Sequence, residues 1–101
     1  MKKIIDGKKY DTETAKLIAE WSYGNSSDYR YICEELYLTR KGNWFIFGEG
    51  GSGSIYGEQV GSTTFSGGEK IVLIDEEDAK KFIEKHGDSE TYEHFFEVEE
   101  A

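Results

Sequence analysis

Four consecutive large apolar residues, Trp44-Phe45-Ile46-Phe47, constrain this chain of 101 residues more than any other feature. A β-strand points alternate side chains to opposite faces, so a run that is apolar at every position needs cover on both sides. That predicts a central strand with one layer above it and another below. Residues 29–39, just upstream, are rich in aromatic and branched side chains and read as a second strand. Arg40-Lys41-Gly42-Asn43 between the two reads as a short hairpin loop. With Thr39 set opposite Trp44, Tyr37 faces Ile46 and Leu36 faces Phe47, giving apolar cross-strand pairs. The adjacent Glu34-Glu35 interrupts the alternation and predicts a bulge or fraying.

The flanking segments supply candidate layers. Residues 2–10 read as two short strands around Asp6-Gly7, a strong two-residue hairpin signal. Asp11 or Thr12 is placed to cap a helix running to about Trp21. Ala15, Ile18, Ala19 and Ser22 form one stripe of that helix, with Leu17 and Trp21 beside it. Residues 22–28 are a polar loop by composition. Residues 48–68 are rich in Gly and Ser and too long for an unstructured connection. They predict a short strand or a functional loop, anchored by Ile55, Tyr56, Val60 and Phe65. Residues 69–74 read as a further strand. Asp75 then caps a helix to about His86 with Ala79, Phe82 and Ile83 inward, and Gly87 ends it as a left-handed residue. A last short helix from Ser89 sets Tyr92, Phe95 and Phe96 on one side, and residues 97–101 fray. The expectation is one α+β domain spanning 1–101: a small antiparallel β-sheet packed with an N-terminal helix and one or two C-terminal helices.

Composition narrows the class. Aromatic residues make up 15% of the chain, which argues against a mainly disordered protein despite its charge. There is no Pro among the residues and there are 12 Gly, so turns rest on Gly, Asn, Asp and Ser. Cys33 is the single cysteine and cannot form an internal disulfide. With no apolar run at the N-terminus and none long enough to span a membrane, this predicts a reducing, cytoplasmic setting. The net charge of −9 is unevenly placed. Residues 1–74 carry ten acids and nine bases, while residues 75–101 carry eleven acids and three bases. Such an acidic end is either a solvated face that favours solubility or a surface for a basic partner. No basic stripe is visible, so direct binding to nucleic acid is not expected.

The candidate catalytic motifs have stronger structural readings. Gly48-Glu49-Gly50-Gly51-Ser52-Gly53 matches G-x-G-x-x-G after a strand. It opens no helix, belongs to no parallel βαβ unit, and places Glu49 where a phosphate would sit, so a structural turn or contact loop fits better. Cys33, His86 and His94 lack metal-ligand spacing, and no metal site is expected. Asp75-Glu76-Glu77-Asp78 suits a helix N-terminus, where unpaired N–H groups favour negative charge. Cys33 lies mid-strand, and no nucleophile elbow accompanies the serines. No catalytic residues and no cofactor are assigned, and an enzyme is not expected.

Several strings resemble a known group. The opening Lys3-Ile4-Ile5-Asp6-Gly7-Lys8-Lys9-Tyr10-Asp11-Thr12-Glu13-Thr14-Ala15 is similar to small acidic proteins of phages and mobile elements of Gram-positive bacteria. So are Glu35-Leu36-Tyr37, Gly42 with the run 44–51, Gly67-Gly68-Glu69-Lys70-Ile71 and the acidic start 75–79. The order of these segments matches over nearly the whole chain. Two departures are Leu38-Thr39 in place of a basic pair and Ile74-Asp75 in place of Leu-Thr. Some members resemble type II-A anti-CRISPR proteins. The resemblance implies an inhibitor of a type II CRISPR effector nuclease, which holds guide RNA and target DNA in positively charged channels. An acidic surface binding there would block guide loading or DNA binding. On this view Glu76, Glu77, Glu84, Asp88, Glu90 and Glu93 contact the partner, with Tyr56 and the Gly-rich loop as adaptable contacts. The alternative is an accessory or regulatory interaction module of a mobile genetic element, with no CRISPR role.

Overall fold

A computed structural model describes residues Met1–Ala101. Its centre is a four-stranded antiparallel sheet in the order β3-β4-β5-β8, formed by β3 (Lys16–Tyr23), β4 (Ile32–Leu38), β5 (Trp44–Gly50) and β8 (Gly68–Ile74). A separate hairpin, β1 (Lys2–Ile5) and β2 (Lys8–Asp11), lies against one face. Two helices, α1 (Glu76–His86) and α2 (Ser89–Phe95), lie against the other. A two-residue ladder, β6 (Glu58–Gln59) with β7 (Phe65–Ser66), sits within the Gly/Ser-rich segment. No helix is long and apolar enough to cross a membrane.

The double-sided run behaves as expected of a central strand. Phe45 is fully buried and packs with Tyr37, Ile71 and the hairpin's Tyr10. Its ring stacks on Tyr37 at 5.2 Å and meets Tyr10 edge-on at 5.6 Å. On the opposite face Leu36 is fully buried against Ala79, Phe82 and Ile83 of α1. Trp44, Ile46, Tyr92 and Phe96 close that second cluster. Truncating Phe45 or Leu36 to Ala removes contacts that no neighbour replaces, at a cost of about 2–5 kcal/mol each.

The β4–β5 register differs by one residue from the expected pairing. Leu38 faces Trp44, Tyr37 faces Phe45 and Leu36 faces Ile46. The loop is the cause. Gly42 N–H donates to the Thr39 carbonyl, Thr39 N–H donates to Asn43, and Gly42 has φ +88°. Thr39 and Asn43 therefore close a three-residue loop with a left-handed third residue, not a four-residue one. At the first hairpin both Asp6 and Gly7 have positive φ, as the two-residue turn requires. No bulge occurs at Glu34-Glu35, whose pairing to β5 is regular.

The expected N-terminal helix is a strand. Asp11 does cap: its Oδ1 accepts Glu13 N–H, and Ala15 N–H reaches the Asp11 carbonyl. The turn ends there, and residues 16–23 pair with β4 along its whole length. Without β3, the non-β5 edge of β4 would leave its backbone groups unpaired. The misleading helical stripe is a bulge. Leu17 faces Tyr37 and Ala19 faces Leu36, so Ile18 is an extra residue. Ile18 and Ala19 consequently both pack on the helix-side cluster, which imitates helical spacing.

The C-terminal region follows expectation more closely. The Asp75 side chain accepts Asp78 N–H, and Ala79, Phe82 and Ile83 are buried. Gly87 is extended rather than left-handed. It is Gly because an added Cβ would lie 2.9 Å from Ile83 Cγ2 and 3.0 Å from the carbonyl that Gly87 N–H bonds. Among the four expected loop anchors only Tyr56 is buried; Ile55, Val60 and Phe65 are exposed. Within the segment Glu58–Gln59 pairs with Phe65–Ser66, while Gly51 and Gly53 N–H donate to the Tyr31 and Tyr29 carbonyls and tie its start to the chain before β4.

Candidate partner-binding surface

The acids expected from the sequence divide among three places. Glu84, Asp88 and Glu93 line one groove between α1, α2 and the segment after them, joined there by Glu97 and Glu99. The groove holds about 490 Å³, with Ile83 and Tyr92 also lining it. Glu76 and Glu77 stand apart in the first turn of α1, and Glu90 in the first turn of α2. Asp88 is the α2 N-cap: its Oδ1 accepts Thr91 N–H at 2.7 Å. Bonding to the Thr91 hydroxyl and N–H holds its carboxyl below the usual range. Four of the six acids thus lie at helix N-termini, where backbone N–H groups and the helix dipole already offset their charge.

Tyr56 departs from the expectation of an adaptable surface contact. It is 8% exposed, and its hydroxyl donates to Glu34. The same carboxylate accepts the Trp21 indole N–H at 2.8 Å. Burial, then the bond to Glu34, pushes the Tyr56 hydroxyl well above the ordinary tyrosine value. Trp21 in turn stacks on His86 at 4.5 Å with rings 4° from parallel. The Gly-rich string makes this possible, because a Cβ at Gly48 would run into the Tyr56 ring. The G-x-G-x-x-G letters therefore encode close packing within the chain.

A second acidic surface escapes a reading of the sequence. The β1–β2 hairpin covers only part of its face of the sheet. Beyond it, cross-strand partners set Glu20 beside Glu35, Cys33 beside Glu49, and Glu49 beside Glu69. These four glutamates come from four strands and share one face. Strand parity was the available signal, but it required knowing that residues 16–23 are β and where the register falls. Tyr31 donates to Glu49 at 3.2 Å and Tyr37 to Glu35 at 3.0 Å. Burial, then the charges and bonds around them, raises both hydroxyls to about 12. At one end the face opens into a cleft of about 740 Å³ lined by Asp28, Tyr31, Glu49 and Glu69.

Neither surface holds an activated group. Burial and the field of Glu35 push the Cys33 thiol up, which keeps it protonated and a poor nucleophile. Cys33 lies on the hairpin side of the sheet and His86 on the helix side. No three His, Cys, Asp or Glu side chains are arranged to hold a metal ion. What these surfaces can do is accept hydrogen bonds and positive charge. The chain's one ion pair is Lys80–Glu77 at 3.5 Å, so no other carboxylate has a cationic partner within the chain. Comparison with protein-family models, curated proteins and solved structures finds no match.

Proposed function

We propose that this protein is a non-enzymatic inhibitor whose acidic surface occupies a basic nucleic-acid channel of a type II RNA-guided nuclease. It acts in the bacterial cytoplasm and blocks guide loading or DNA binding. The observation that carries the reading is the supply of unpaired carboxylates: 21 acids, one ion pair, and two separate acidic surfaces on one small chain. Such surfaces attract a basic channel at long range and displace phosphates from it by charge and shape. The resemblance to anti-CRISPR proteins supplies the class of target. The experiment is a guide-loading and DNA-binding assay with purified nuclease and excess protein. Loss of loading or of DNA binding is expected; unchanged loading, binding and cleavage reject the reading for that nuclease.

A further inference from the structure

The cations of this acidic protein are gathered as well as its acids. Lys8 and Lys9 follow the first hairpin turn, and Arg40 and Lys41 sit in the β4–β5 loop. They are far apart in sequence, and no basic stripe announces them. In the fold all four line one cleft of about 680 Å³ between the two hairpins. All four are exposed. None has a carboxylate partner, since the one ion pair lies on α1, and none lies over an aromatic ring.

We propose that this cleft binds a compact polyphosphate: two or three adjacent phosphates, as in inorganic tripolyphosphate or a nucleoside triphosphate. Lys8 shares its side of β2 with Tyr10 while Lys9 lies on the other, so the like charges that repel one another at the cavity are chiefly those of Lys8, Arg40 and Lys41, and a multivalent anion relieves that repulsion. The one acid in the lining, Asp11, is 8% exposed and its Oδ1 is engaged by Glu13 N–H. Thr14 adds a neutral hydroxyl donor. The cavity has the size of a small-molecule site. Its one aromatic residue, Tyr10, is 6% exposed and belongs to the core, so no ring is free to stack on a base. Phosphates are therefore the group recognised. A long nucleic acid is a poorer fit, because a chain of net charge −9 repels whatever extends beyond the cleft. The cleft is separate from both acidic surfaces, and this inference stands without the reading above.

The test is a titration of the intact protein with inorganic tripolyphosphate at low salt, followed by backbone amide NMR. Saturable shifts centred on Lys8, Lys9 and residues 40–43 are expected, weakening about tenfold or more at physiological salt. The double variant Arg40→Gln/Lys41→Gln should bind about tenfold more weakly while its spectrum stays folded. The control Lys81→Gln/Lys85→Gln, on α1, should bind as the parent does. No saturation, or equal weakening in both variants, overturns the proposal. ATP should bind about as tightly as tripolyphosphate; a much tighter ATP overturns recognition by phosphate alone. Duplex DNA that competes equally, phosphate for phosphate, overturns the compact ligand.

Discussion

The Tyr56 hydroxyl donates a hydrogen bond to the Glu34 carboxylate, joining positions 22 apart in sequence. Between them lies Gly48 of β5, over which the Tyr56 ring crosses. One side chain thereby fastens the Gly/Ser-rich segment to the sheet. It also fixes Glu34 as the acceptor for Trp21, whose ring also stacks on His86 and packs on the helix-side cluster. The loop, an edge strand and α1 are thus tied through a single half-buried carboxylate.

Replacing Tyr56 with Phe keeps the ring and removes the donor. The Glu34 carboxylate then retains one protein donor, the Trp21 indole, in a partly buried place. The expected cost is about 1–3 kcal/mol, as for a hydrogen bond to a charged group. In a domain of this size each kcal/mol lowers Tm by roughly 4–8 °C. Calorimetry checks it. An unchanged Tm would mean that water replaces the hydroxyl without loss.

Gly48→Ala tests the same crossing from below. The added methyl meets the Tyr56 ring, which is held by its hydroxyl and cannot swing aside. Destabilisation of about 1–3 kcal/mol is expected from overpacking. In Tyr56→Ala the obstacle is gone, so the same substitution should be nearly neutral there. A urea-denaturation double-mutant cycle measures the coupling, and strict additivity would separate the two residues.

The sequence made the layers legible and the linkages obscure. Trp44-Phe45-Ile46-Phe47 demanded cover on both faces, and the hairpin and α1 supply it. Asp75, Ala79, Phe82 and Ile83 likewise announced α1 through cap and period. Ile18 and Ala19 misled because a bulge sets neighbouring residues on one face, as a helix also does. Glu20, Glu35, Glu49 and Glu69 were hidden for a related reason. Their common face depends on strand parity and register, and the register turned on whether Gly42 or Asn43 ended a loop. Lys8, Lys9, Arg40 and Lys41 meet only through the docking of one hairpin on another, which no local pattern encodes.

His86 gives the fold a defined response to acid. Burial against Trp21 and Phe82 lowers its pKa, the Lys85 charge adds to this, and Glu34 opposes both. The unfolded chain therefore binds this proton at a higher pH than the folded one does. Stability is full above the ordinary histidine value of 6.5 and is lost as pH falls through the lower folded value. Urea midpoints at about pH 7.5 and about pH 5.5 should differ in the parent and converge in His86→Phe, which keeps the stack and carries no proton. An identical pH slope in the variant assigns the acid sensitivity to other groups.

Of the two acidic surfaces, the sheet face should contribute more to binding a basic partner. Glu76, Asp88 and Glu90 neighbour unpaired N–H groups at helix N-termini, which offset part of their field. The sheet-face glutamates have no such compensation, and strands hold them at fixed spacing beside Tyr31 and Phe47. Exposed positions without side-chain hydrogen bonds allow a matched comparison: Glu20→Lys/Glu69→Lys against Glu76→Lys/Glu90→Lys. Each pair adds the same four charges, so total charge cannot distinguish them. Against the purified nuclease at low salt, the sheet-face pair should slow association about tenfold, and the helix pair less. Raising the salt should narrow the gap, because screening removes the field that separates the two sites. Equal slowing would mean that only net charge steers the encounter. No slowing in either pair would leave the carboxylates without a part in binding, and with them the proposed inhibitor would lose its principal support.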